Sequence, residues 1–174
     1  MRNGIVAGVI CGALVGLILV AVILKWMRGD GSKKCKFDER QELVRGTSFK
    51  YGFFALIIYN GAYILATMAL EKLPFDTATG MFFGICFGVM VFAAYGIWHD
   101  GYLALNEKPV RVLIAFALIG IINLALGIRS FVAGDAFVDG QLTFRSINLF
   151  CGLLFVFIGV VYLLKWIKDV REGD

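Results

Sequence analysis

Apolar residues run almost unbroken through five stretches of this chain, roughly 4–24, 51–70, 78–98, 111–128 and 147–166, and charge is concentrated between them. Each run approaches the ~20 residues that a helix needs to cross ~30 Å of hydrocarbon. Strands of a membrane barrel would alternate over about ten residues, whereas these runs are continuous and about twice as long. In lipid every backbone N–H and C=O must be satisfied within the protein, so continuous runs of this length read as helices. The pattern predicts an all-α integral membrane bundle of five transmembrane helices, forming a single domain over 1–174.

The connections refine this. Within 25–50, the sequence from Asp38 predicts a short helix over about 38–46, capped by Asp38, with Glu39 and Glu42 in its first turn. Glu42 and Arg45, three apart, are placed to pair. Gly46 either breaks this helix before the second span or lets the two run on as one rod. Pro74 stops the second span firmly, His99–Asp100–Gly101 closes the third, and Pro109 opens the fourth where a lost N–H costs little. The connection 129–145 carries Gly134–Asp135 and Asp139–Gly140 among aromatic residues, a pattern open to a hairpin or an interfacial loop. No internal repeat stands out.

Composition agrees with a membrane class: 60% of the 174 residues are hydrophobic and 17% charged, where soluble domains carry about 25% charged. The first run is longer than the ~7–15 residues of a signal-peptide core, and Lys25, Trp26 and Arg28 follow it instead of a cleavage site, so it reads as a retained helix. The net charge of +4 is an orientation signal and no nucleic-acid footprint. Lys25, Arg28, Lys33, Lys34, Lys36, Arg40, Arg45, Lys50, Lys108, Lys165, Lys168 and Arg171 fall on one side if the chain alternates. Arg2, Lys72, Arg129 and Arg145 fall on the other, with Arg111 at the inner edge of the fourth helix. Basic loops stay cytosolic, which predicts the N-terminus outside and the C-terminus inside. Trp26, Trp98 and Trp166 then all lie at cytosolic helix ends, where indole prefers the headgroup layer.

Small and polar residues within the runs supply the candidate sites. Gly4, Gly8, Gly12 and Gly16 recur every four residues in the first helix, and Gly80, Gly84 and Gly88 in the third. Glycine costs a helix about 1 kcal/mol relative to alanine, so glycines in register suggest close helix approach. The two stripes either face one another within the bundle, or at least one makes a contact between chains. Asn60 and Asn123 lie mid-span, and each amide calls for an interhelical partner or, alternatively, lines a polar path. No Asp, Glu, Lys or Arg lies deep in any span, which argues against a proton-coupled pump or voltage sensor.

Catalytic chemistry is scarce. Cys11, Cys86 and Cys151 sit in the outer halves of parallel helices, where buried cysteine is a small hydrophobe before it is a ligand. Cys35 lies among Lys33, Lys34 and Lys36, a setting that favours thiolate. His99 is the sole histidine, so no multi-histidine metal site exists, and no GxSxG elbow or Walker loop accompanies His99–Asp100. No catalytic residue, metal or cofactor is therefore assigned, and the expectation is a protein that is not an enzyme.

The run 37–54, FDERQELVRGTSFKYGFF, resembles one found in small uncharacterised multi-pass membrane proteins of Gram-positive bacteria. The resemblance covers about a tenth of the chain. It implies a bacterial cytoplasmic (plasma) membrane address, carries no activity and transfers no functional residue. Two functions are compatible with these readings. One is a non-enzymatic accessory, regulatory or self-associating subunit, presenting the basic segment Lys33, Lys34, Lys36, Arg40 and Arg45 to a cytosolic or membrane protein partner, a second copy or anionic lipid. That segment also has a plain reading as a topology determinant. The other is a small oligomeric channel or transporter for an ion or small solute, lined by Asn60 and Asn123.

Overall fold

A computed structural model describes residues 2–28 and 34–173, with side chains described from 14 onward. The chain forms helices α1 (Arg2–Met27), α2 (Glu39–Ala69), α3 (Thr77–Trp98), α4 (Pro109–Val132) and α5 (Ile147–Glu172). A two-stranded hairpin, β1 (Phe137–Val138) and β2 (Gln141–Leu142), and a single 3-10 turn over Phe144–Ser146 join α4 to α5. The antiparallel pairs α2–α3 and α4–α5 are held together along α3 and α5, and α1 packs against α4. At one end, the polar end, the loops 34–38 and 99–108 meet; at the other, the hairpin end, the loop 70–76 meets the hairpin.

Four helices among the described residues, α2 to α5, are long and apolar enough to cross a membrane, against the five that the runs predict. The α1 stretch that enters this comparison, Leu14–Met27, is shorter. Large apolar side chains cover the outside, among them Leu17, Ile58, Met68 and Ile121. In water such a surface would be an aggregation hazard; against lipid it costs nothing. α3 is the most enclosed helix, with 39% of its span buried against 6% for α2.

The short helix and the second span prove to be one 31-residue rod. Asp38 and Gln41 close a capping box at its start. The hydroxyls of Thr47 and Ser48 return to Leu43 O and Val44 O, and Gly46 faces open space, so nothing demands a break there. Arg45 does not turn to Glu42: its guanidinium lies 4.0 Å from the centre of the Phe37 ring. α4 runs on to Val132. α5 runs on to Glu172 because Lys165–Asp169 and Lys168–Glu172 pair along its last turns before Gly173 ends it at φ 81°. The 129–145 connection is a hairpin, with Asp139 (φ 49°) and Gly140 (φ 74°) supplying the two left-handed positions of a tight turn.

Candidate functional site

Where α3 ends, Gly101 N–H donates to Gly96 O at 2.8 Å and Asp100 N–H to Ile97 O at 3.3 Å, the bonding of a Schellman cap. Its left-handed position is held by Asp100 at φ 61°, where glycine is usual. The strained placement aims the Asp100 carboxylate at two cations, Lys165 of α5 at 3.2 Å and Arg40 of α2 at 3.8 Å. Lys165, with its side chain 15% exposed, also pairs with Asp169 at 2.6 Å. From the opposite side, Gln41 Nε2 donates to Asp100 O and Leu103 O, both at 3.1 Å. Gln41, Asp100, Lys165 and Asp169, with Tyr162 and Trp166, line a cleft of about 200 Å³. Its lining carries one cation, Lys165, against the carboxylates of Asp100 and Asp169, and Arg40 meets Asp100 from outside the lining.

The rest of the polar end is tied to this cleft. Leu105 N–H donates to Lys36 O, Lys36 N–H to Asn106 Oδ1, and Asn106 Nδ2 to Lys34 O, all within 2.8–3.0 Å. Lys108 N–H donates to Met27 O and Arg111 Nη1 to Trp26 O, which fastens the end of α1 to the start of α4. Burial pushes the Tyr102 phenol up to about 12, with the Glu107 carboxylate adding to the rise and the Arg45 guanidinium opposing it.

At the hairpin end Asp76 caps α3 by accepting from Thr79 N–H at 2.7 Å. The nearby Thr79 hydroxyl holds the Asp76 carboxyl below its ordinary value; burial opposes this, and the backbone N–H groups of Thr79 and Phe144 add to it. Gln141 Nε2 donates to Leu73 O at 2.8 Å and to Phe75 O at 3.4 Å, while Lys72 Nζ donates to Asp139 O.

The α3 glycine stripe is filled from α2. Gly80, Gly84 and Gly88 of α3 lie against α2: a side chain at Gly80 would collide with the Tyr63 ring, one at Gly84 with the Tyr59 ring, and one at Gly88 with Gly52 O at 3.0 Å. The notches are filled by aromatic rings from α2, which leaves α1 to pack elsewhere. Gly16 has nothing within 4 Å of where its Cβ would be, and the surroundings of Gly4, Gly8 and Gly12 lie outside the described residues. Gly52, Gly127 and Gly152 also make close approaches; they lack the four-residue spacing that would have marked them.

The intramembrane amides stay apart. Asn60 sits beside Gly84 and makes no hydrogen bond among the described residues, whereas Asn123 Nδ2 donates back to Ile119 O of its own helix at 2.8 Å. Among the described residues neither forms the interhelical bond that its depth calls for.

Of the basic segment, Lys33 lies outside the described residues. Lys34 and Lys36 join the loop contacts above, Arg40 reaches Asp100, and Arg45 turns inward over Phe37. Cys35 Sγ donates to Glu107 Oε1 at 3.7 Å, so a carboxylate stands beside the thiol as well as the lysines. Cys86 is buried and Cys151 half-buried, the Cys11 side chain lies outside the described residues, and no three potential metal ligands converge among those described. The His99 ring stacks on Tyr95 at 4.0 Å with Nδ1 2.9 Å from Tyr95 O, an arrangement that finishes a helix. Sequence reading missed Gln41, Gln141 and the Asp100–Lys165–Asp169 cluster, although the four-residue spacing of Lys165 and Asp169 was visible. No family model matches the chain, and no curated protein or solved structure matches it either.

Proposed function

We propose that this is a non-enzymatic multi-pass protein of the bacterial cytoplasmic membrane, crossing it five times from an outer N-terminus to a cytosolic C-terminus. It works by contact, as an accessory or regulatory subunit or as a self-associating one. The observation that carries this reading is the length of α2. Its 31 residues extend about 46 Å, well beyond ~30 Å of hydrocarbon. Its charged start, with Glu39, Arg40, Glu42, Arg45 and Lys50, then stands beyond the membrane.

One side of this projection is covered, with Val44 against Gly101 and Ser48 against Gly96. The other side exposes Leu43 and Lys50, with Leu43 74% exposed. That mixture of apolar and basic groups on an ordered rod suits a protein surface. The orientation is supported by the helices: α1, α3 and α5 all run towards the polar end, and Trp26, Trp98 and Trp166 gather there with most of the basic residues. The bacterial address rests on the resemblance over 37–54.

A photoreactive side chain at Leu43, activated in native membranes, should trap a second chain, either another copy or a partner. Recovery of the monomer alone, together with a monomer mass after extraction with native lipid, would overturn the proposal.

A further inference from the structure

Beside α1 and α4, under α5, a second cavity of about 290 Å³ reaches the polar end. Ile23 and Met27 of α1, Val112 and Ala115 of α4 and Phe155 of α5 make its wall apolar. From Met27 to Val20 along α1, and from Val112 to Ile119 along α4, it extends about 10 Å inward, within the depth of one leaflet. Two charged groups line its polar mouth, Glu107 and Arg45. Glu107 is satisfied: Ala104 N–H donates to Oε2 at 3.0 Å and Cys35 Sγ to Oε1.

Arg45 is not. Its half-buried guanidinium lies over Phe37 and 5.9 Å from the centre of Phe49, yet among the described residues it meets no carboxylate and no hydrogen-bond acceptor. A ring satisfies one face of the guanidinium plane and leaves the five N–H groups at its edge without acceptors. None of its nitrogens is fully buried, so the edge is open at the mouth to a planar or tetrahedral oxyanion.

We propose that this cavity holds an anionic phospholipid, one acyl chain lying between α1 and α4 and its phosphate on Arg45. Glu107 also lines the mouth but both its oxygens are already bonded, so the ammonium of a zwitterionic lipid gains little there and lies close to Arg45. The site rests on α1 lying in the bilayer, as proposed above, because only then does lipid reach the cavity.

The test uses delipidated full-length protein in non-ionic detergent, given phosphatidylglycerol or phosphatidylcholine with identical chains and read by native mass spectrometry. Phosphatidylglycerol should remain as a single adduct, bound about fivefold more tightly than phosphatidylcholine, the worth of one basic side chain at a membrane surface. Arg45→Gln should remove that preference, Arg45→Lys should keep most of it, and Ala115→Leu, which fills the wall, should weaken both lipids. Equal retention of the two lipids by the unaltered protein, or an unchanged preference in a folded Arg45→Gln protein, would overturn the site. If Arg45→Gln does not fold, the comparison of lipids on the unaltered protein decides. Labelling of the N-terminus in intact cells judges the five-span reading separately: an inner N-terminus with phosphatidylglycerol still preferred sinks the topology and leaves the lipid site standing.

Discussion

At the polar end the amide of Gln41 bridges the carbonyls of Asp100 and Leu103; at the hairpin end the amide of Gln141 bridges those of Leu73 and Phe75. Each end also has an aspartate capping a helix, Asp38 or Asp76, and an aspartate in the left-handed region, Asp100 or Asp139. They differ in what is laid over this frame. The polar end adds the chain of ion pairs Arg40–Asp100–Lys165–Asp169, while among the described residues the hairpin end has none and relies on carbonyls. The same solution to loop closure therefore serves two environments. One end carries charge that a partner, a lipid headgroup or salt can address, and the other is built to be left alone.

The largest effect should come from the packing that places both ends. A Cβ on Gly127 would lie 2.5 Å from Leu149 N and 2.6 Å from its Cα, so backbone, not a flexible side chain, would have to move. Gly127→Ala should cost about 1–3 kcal/mol, seen as a lower melting temperature, whereas Gly16→Ala, with open space around it, should leave melting unchanged or raise it. Equal behaviour of the two variants would refute the packing around Gly127.

Next comes the charged end itself. Asp100→Ala removes both ion pairs and keeps a side chain in the left-handed region, for a loss of about 1–2 kcal/mol. Asp100→Gly loses the same pairs but relaxes the backbone, so it should melt between Asp100→Ala and the unaltered protein. If glycine proves the most stable of the three, the ion pairs contribute less than the strain costs. Raising salt should narrow these differences, since exposed pairs are screened, and should leave a Gln141→Ala variant at the other end unaffected relative to the unaltered protein.

How much of this contrast the amino acids announce depends on the range of the interaction. Helix spans are local properties of length and hydropathy, so runs such as 78–98 map onto Thr77–Trp98 almost unaltered. Asp38 as a cap was legible for the same reason. A glycine stripe, by contrast, says that something approaches and not what: the Tyr59 and Tyr63 rings that fill the Gly84 and Gly80 notches could not be distinguished from a neighbouring α1. Gln41 and Gln141 are ordinary polar residues until two distant loops are brought to them. Arg45 read as a topology charge, and only the fold turns it inward over Phe37 and the cavity.

The two ends should also fail at opposite extremes of pH. Tyr102, at the polar end, titrates at about 12 in the folded chain against about 10 when unfolded, so the fold prefers the neutral phenol. Stability tied to it is complete below pH ~10 and is lost as pH rises towards 12. Tyr102→Phe should therefore flatten the alkaline fall in melting temperature, and a fall of unchanged size would show that other groups cause it.

Asp76 gives the smallest and most local effect, at the hairpin end. Its folded value lies below the ordinary ~3.9, so the fold prefers the carboxylate. That preference contributes stability above pH ~4 and is lost as pH falls through the lower, folded value. Asp76→Asn keeps an N-cap acceptor for Thr79 N–H and removes the titration. The variant should melt close to the unaltered protein at low pH and slightly below it at neutral pH, where the charged cap also interacts with the positive end of α3. Amide exchange at Thr79 and Gly80 would localise the change, because Gly80 N–H donates to Asp76 O. If those amides open no faster in the variant at neutral pH, the aspartate charge contributes nothing to holding the start of α3, and the hairpin end stands on its carbonyl bonds alone.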